Sequence, residues 1–185
     1  MRLTGGELCG RMISAPKGTS TRPTQDRVRE SLFAILGDRM TGSNVLDMFA
    51  GSGALGLEAI SRGAIQCTFV EVSRRTSELI KLNAQKLGII DRCRILNGDA
   101  LEASRIWSSS APFSIAFVDP PYASGVYEEA LGMLSASGIM KHLGIVVVER
   151  EKNLSLAPSF GNLLLKRSAR YGATFIDFYQ NDAEV

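Results

Sequence analysis

Between residues 44 and 149 the chain alternates short apolar runs with stretches of helical period, and this alternation constrains the fold more than any other feature. It predicts strands at Val45 to Phe49, Cys67 to Val72, Arg94 to Asn97 and Ile115 to Val118, separated by helices at Ala54 to Arg62, Arg74 to Leu87 and Leu101 to Trp107. A helix at Tyr127 to Ser135 then leads to a strand at Gly144 to Glu149 with the unbroken apolar core Ile145-Val146-Val147-Val148. Strands joined through helices run parallel, and runs without polar alternation are covered on both faces. The end of the chain differs, because Leu163 to Arg167, a turn at Tyr171-Gly172-Ala173-Thr174, and Phe175 to Tyr179 read as a hairpin. One strand must therefore run antiparallel. The expected fold is α/β and Rossmann-like, a mostly parallel seven-stranded sheet ending in an antiparallel hairpin. Upstream, Thr24 is placed to cap a helix whose Val28, Leu32, Ile35 and Leu36 share one face and which Gly37 stops. This divides the chain into an N-terminal basic arm and helix, 1–43, and a core domain, 44–185.

With 185 residues, 45% of them hydrophobic and 22% charged, the chain can bury one substantial core but not two. No apolar stretch approaches the eighteen or so residues of a membrane span, and Met1 to Glu7 lacks the apolar centre of a signal peptide. Cys9, Cys67 and Cys93 have neither the number nor the spacing of a disulfide or metal framework, and the lone His142 cannot build a metal site. Cys67 and Cys93 begin apolar runs and read as strand thiols, and the compartment expected is the cytoplasm. The net charge of +2 is too small to announce nucleic-acid binding, but residues 1–30 carry six basic against three acidic side chains. A segment of that kind either lies along phosphates or is a solvated surface tail.

The sequence Val45-Leu46-Asp47-Met48-Phe49-Ala50-Gly51-Ser52-Gly53-Ala54-Leu55-Gly56 fits G-x-G-x-x-G between a strand and a helix, where backbone can approach a ligand facing a helix N-terminus. The pattern alone does not choose a cofactor. Asp47 precedes the glycines, where it would repel a pyrophosphate but attract the ammonium and sulfonium of S-adenosylmethionine (SAM); its alternative role is to cap the turn. Glu71 ends the next strand about twenty residues beyond, where a carboxylate accepts ribose hydroxyls. Asp99, after the third strand, is placed either for an adenine amino group or as a helix cap. Asp47, Glu71, Asp99 and Asp119 end successive strands, and ligands of open α/β sheets bind beyond those ends.

Asp119-Pro120-Pro121-Tyr122 supplies the chemistry. An amine conjugated to a ring is a poor nucleophile because its lone pair is delocalised. The Asp119 carboxylate and Pro120 carbonyl can accept its two hydrogens and turn that pair towards a methyl donor, while the prolines stiffen the loop. Tyr122 would stack on the target ring, which must first leave any helix it belongs to. The tetrapeptide specifies only a planar nitrogen, so adenine N6 of DNA or a protein glutamine amide are alternatives. A nucleotide-binding oxidoreductase and a non-catalytic SAM-binding module are rivals from other classes.

The stretch Ala15 to Phe33, containing Thr21-Arg22-Pro23-Thr24-Gln25-Asp26-Arg27-Val28-Arg29-Glu30, resembles the N-terminal signature of the RsmD family of methyltransferases. Leu46-Asp47-Met48-Phe49-Ala50-Gly51-Ser52-Gly53, Phe117-Val118-Asp119-Pro120-Pro121-Tyr122 and the Tyr171-Gly172 hairpin extend the resemblance over nearly the whole chain. It implies a class I SAM-dependent methyltransferase fold and methylation of guanine N2 in 16S rRNA, with S-adenosylhomocysteine as product; for a small chain with no appended RNA-binding domain the expected partner is that rRNA within an assembled or assembling small ribosomal subunit. It also implies target-base roles for Asp119, Pro120 and Tyr122, and cofactor roles for Asp47, Gly51, Gly53, Glu71 and Asp99. Thr24 and Arg27 would flank the methionine end of SAM, although Arg27 is equally suited to a structural ion pair. Leu3 to Gly10 is less basic than the usual family member.

Overall fold

A computed structural model describes residues 1–16, 23–102, 112–121 and 125–183, with backbone alone for 23–25. The helices are α1 (Pro23–Leu36), α2 (Ala54–Ser61), α3 (Arg74–Leu87) and α4 (Val126–Ala136). The strands are β1 (Asn44–Asp47), β2 (Gln66–Glu71), β3 (Cys93–Asn97), β4 (Phe113–Val118), β5 (Met140–Glu151), β6 (Ser159–Phe160), β7 (Leu163–Tyr171) and β8 (Thr174–Asn181). They form one sheet in the order β3-β2-β1-β4-β5-β8-β7-β6. The first five strands are parallel, and β8 enters antiparallel between β5 and β7.

The seven expected strands are present, and the two-residue β6 adds an eighth at the edge. β7 runs four residues beyond the apolar segment, through Ser168 to Tyr171, because every residue of β8 from Thr174 needs a backbone partner there. α1 begins at Pro23, so Thr24 lies within the first turn rather than before it; a proline suits the first position, where its missing N–H costs no bond. The expected helix at Leu101 to Trp107 lies almost entirely outside the described residues.

The period of two places Val45, Phe69, Phe117 and Val147 on one face, packed with α1, α2 and α3, and Leu46, Val70, Val118 and Val148 on the other, packed with α4. Residues 1–14 are part of the first layer. Backbone bonds Leu3 N–H to Arg11 O (3.0 Å) and Ile13 N–H to Met1 O (2.9 Å) fold them into a small hairpin, and Leu3 and Ile13 are buried. Asn83 on α3 clamps its end by exchanging 2.9 Å hydrogen bonds with the Ser14 backbone. The solvated-tail alternative therefore does not describe these residues.

Glu58 on α2 is fully buried and joins three elements. It accepts from Arg29 Nε of α1 (2.9 Å), from Arg62 Nε (3.0 Å) and terminal nitrogen (2.8 Å), and from the Thr4 backbone N–H (3.0 Å) and hydroxyl. Arg29 also reaches Asp26 Oδ1 (2.9 Å) and the Arg2 carbonyl (2.6 Å). Arg62 lies over the Phe33 ring at 5.0 Å, and Phe33 meets Phe117 of β4 edge-on at 5.7 Å. Breaking a buried pair leaves the surviving charge without compensation. Glu58→Ala is expected to lower the unfolding free energy by about 3–5 kcal/mol, measured by urea denaturation, with Glu58→Gln less damaging.

Candidate active site

The turn from β1 into α2 is shaped by its glycines. Gly53 caps α2 in the left-handed conformation (φ 77°), and Gly56 faces the sheet so closely that a Cβ there would lie 2.3 Å from the Phe69 ring and 2.6 Å from Cys67 Sγ. Gly56 thus sets how near the helix lies to β2, while Gly51 (φ 51°) borders open space, where an added Cβ would meet nothing nearer than 3.9 Å. Asp47 reaches under the turn and accepts the Gly56 N–H at 3.0 Å. Glu71 holds the turn from the other side, Oε2 accepting Gly51 N–H and Oε1 accepting Ser73 N–H, each at 2.8 Å. The remaining lone pairs of Glu71 are available to ligand hydroxyls. Asn97 Nδ2 braces this corner by donating to the carbonyls of Glu71 (2.9 Å) and Val72 (3.0 Å).

These elements open onto a cleft of about 1430 Å³ along the carboxyl ends of the parallel strands. Asp47, Gly51, Glu71, Asp99, Asp119 and Pro120 all line it. Asp99 is exposed and its Oδ1 accepts Leu101 N–H at 2.9 Å, while the helix it would cap lies almost entirely outside the described residues. Gly53 lies buried behind the wall, and Arg27 is an exposed residue that does not line the cleft. Its neighbour Arg29 is the one held in the buried ion pair and also borders the cleft. Tyr122 lies outside the described residues, as does the side chain of Thr24.

Glu149, at the carboxyl end of β5, is a cleft residue the sequence reading missed. The strand-end rule that selected Asp47, Glu71 and Asp119 identifies it equally well. Register explains the grouping: Asp47 pairs with Phe69 and Phe117, Phe117 with Val147, and Glu71, Asp119 and Glu149 each follow two residues later on the same face. Asp47 consequently sits one pleat deeper than the others, at 3% exposure. Burial pushes its carboxyl up to about 7, aided by the Glu71 charge and opposed by the Gly56 N–H. Burial also raises Asp119 well above the usual carboxylate range, with Glu149 and then Asp47 adding repulsion, and burial raises Glu149. Among the described residues no group of three or more His, Cys, Asp or Glu is arranged to hold a metal. The donor set suits an organic ligand that brings cationic groups and hydroxyls. Such a ligand would relieve the accumulated negative charge.

A doubly covered sheet of five parallel strands continued by an antiparallel hairpin, with a glycine turn and acidic strand ends at its carboxyl edge, is the class I SAM-dependent methyltransferase fold. The family model described as "Conserved hypothetical protein 95" matches residues 1–180, and the chain belongs to this family. Ribosomal RNA small subunit methyltransferase D of Escherichia coli (strain K12) is 36% identical over 184 residues, covering 100% of this chain and 91% of that protein. The protein of that name from Haemophilus influenzae is 32% identical over 182 residues, covering 98% and 94%. A solved structure from Escherichia coli described as a candidate methyltransferase superposes with a TM-score of 0.84 at 34% identity, covering 100% of this chain and 99% of that one.

The raised Asp47 carboxyl gives a directional test. Between pH about 4, where an unfolded aspartate titrates, and about 7, the folded chain retains a proton that the unfolded chain has released. Its contribution to stability is therefore complete below pH about 4 and is lost as pH rises through about 7. Asp47→Asn should remove this loss, so its stability relative to the parent should climb with pH across that window, by up to roughly 4 kcal/mol, in chemical denaturation at a series of pH values.

Proposed function

We propose that the chain transfers the methyl group of SAM to the exocyclic N2 of a guanine in 16S rRNA of the small ribosomal subunit, in the cytoplasm. The observation that carries this reading is that Asp119 and Pro120 border the same cleft as Asp47, Gly51 and Glu71. A planar-amine clamp and a turn suited to a cationic nucleoside thus share one space. The small-subunit rRNA comes from the name of the Escherichia coli relative, and the guanine from the family resemblance carried by residues 15–33.

SAM, when bound, supplies an electrophilic methyl on a sulfonium sulfur. Asp47, lying under the turn, attracts its positive charge, Gly51 leaves room for its backbone contacts, and Glu71 accepts ribose hydroxyls while still holding Gly51. Asp99 accepts from the adenine amino group through the oxygen not engaged by Leu101. Gly53 keeps the turn in its left-handed bend from behind, and Thr24 flanks the methionine end, whereas Arg27, exposed and outside the cleft, takes no cofactor role. Asp119 and the Pro120 carbonyl hold the two hydrogens of the guanine amine, aiming its lone pair for in-line displacement, and Tyr122 stacks on the ring. The methylated amine then loses a proton readily, so Asp119 need not be a strong base. A small enzyme of this kind gains recognition from proteins already on the RNA, which favours the subunit particle over free RNA.

The test is transfer of radiolabelled methyl from SAM to small subunits lacking the modification, beside deproteinised RNA and duplex DNA, with nucleoside analysis. Label is expected in N2-methylguanosine on particles, and Asp119→Ala should reduce it by at least about 10²-fold while SAM affinity changes by less than about threefold. Label in N6-methyladenine, or equal rates on particles and bare RNA, would contradict the corresponding part of the reading. SAM affinity should weaken as pH falls from 8 to 6, because protonation of Asp47 removes the charge that attracts the ligand. That trend opposes the stability trend of the free protein, and isothermal titration across the range checks it.

A further inference from the structure

Glu149 has no part in the chemistry above, yet it stands beside the group that does. β4 and β5 pair in parallel through Val118↔Val148, so Asp119 and Glu149 are the next residues on neighbouring strands, about 4.8 Å apart in backbone. Glu149 pairs with Ile176 of β8, a residue of the α1-side core, which places it on the face that also carries Asp47 and Asp119. Both carboxylates are half-buried and both line the cleft. Two adjacent carboxylates are a poor site for one amine, since two acceptors already satisfy its two hydrogens. They match an edge that carries a further donor next to the amine.

We propose that Glu149 is the guanine-selecting residue, accepting the ring N1–H of the base whose N2 is held by Asp119 and Pro120. This rests on the guanine-N2 reading given above. Guanine presents N1–H directly beside its exocyclic amine, so three donors in a row meet a row of acceptors. Adenine flanks its N6 amine with N1 and N7, both acceptors, and cytosine flanks N4 with the acceptor N3 and a C–H. Either base would set a lone pair against the Glu149 carboxylate, leaving two acceptors facing each other without a donor. Proximity of the two carboxylates thereby converts a clamp for any planar amine into a reader of the Watson–Crick edge. The guanine edge also offsets the mutual repulsion of the pair, because each carboxylate receives donors when the base arrives.

A double-mutant cycle between enzyme and base tests the contact. The parent and Glu149→Gln are assayed on small subunits carrying either guanine or 2-aminopurine, which keeps the N2 amine but lacks N1–H, at the position the parent methylates. SAM titration of both proteins accompanies the assays. The expected result is a fall of about tenfold in kcat/KM of Glu149→Gln on guanine, a rise on 2-aminopurine, whose N1 lone pair the Gln amide can meet with a donor, and SAM affinity within about twofold. Equal losses on the two bases, or retained activity on guanine, would overturn the assignment to N1–H. Loss of SAM binding in Glu149→Gln would overturn it as well, by moving the residue to the cofactor site. Failure of the parent to form any N2-methylguanosine would overturn the guanine reading and this inference together, whereas the other failures leave that reading intact.

Discussion

The buried Glu58 carboxylate is the interaction from which the layer on the cofactor side is hung. A lone anion with no exposure would be costly to fold, and here two guanidiniums, a backbone N–H and a hydroxyl surround it. Because these donors come from the N-terminal hairpin, α1 and α2, the three cannot shift independently. α2 begins at the glycine turn, so the same network fixes where the turn's backbone lies. Arg62 extends it through Phe33 to Phe117, two residues before Asp119. A single cluster therefore touches the supports of both halves of the cleft.

At the cleft itself the constraint is charge. Four carboxylates, Asp47, Glu71, Asp119 and Glu149, lie on one face of neighbouring strand ends. The sheet tolerates them because Asp47 and Glu71 are each anchored by turn N–H groups, while burial raises the carboxyls of Asp47, Asp119 and Glu149 above their usual range. The arrangement stores unfavourable electrostatics that a cationic or donor-rich ligand relieves. In the proposed reading, affinity is drawn from that relief rather than from a large apolar pocket.

Most of the fold was legible in the sequence because doubly covered strands leave a strong signal: α3 spans Arg74–Leu87 as its period predicts, and the core of β5 is its apolar run. The extension of β7 through Ser168 to Tyr171 was not legible, since an exposed strand face carries no hydrophobic pattern and its length is dictated by the partner strand. Asp47, Gly51, Glu71, Asp99, Asp119 and Pro120 were found because strand-end carboxylates and turn glycines are local features. Glu149 escaped because it sits next in sequence to Arg150 and Glu151, within a charged stretch that reads as solvated. Arg29 escaped for a related reason: only the folded chain shows that the buried member of the arginine-rich helix is Arg29 and that Arg27 points outward.

The strand order has a consequence for synthesis of the chain. Because the sheet runs β3-β2-β1-β4-β5, the first three strands can associate as they emerge, but β1 remains an open edge until residues 113–118 arrive. Its fully buried Val45 and Leu46 are then flanked on one side only, and an apolar edge of that kind pairs readily with other chains. The ribosome is thus holding a nascent chain whose most aggregation-prone edge is the future seam between the two halves of the cleft. Docking of β4 removes the hazard and brings Asp119 and Pro120 to the cleft in the same step.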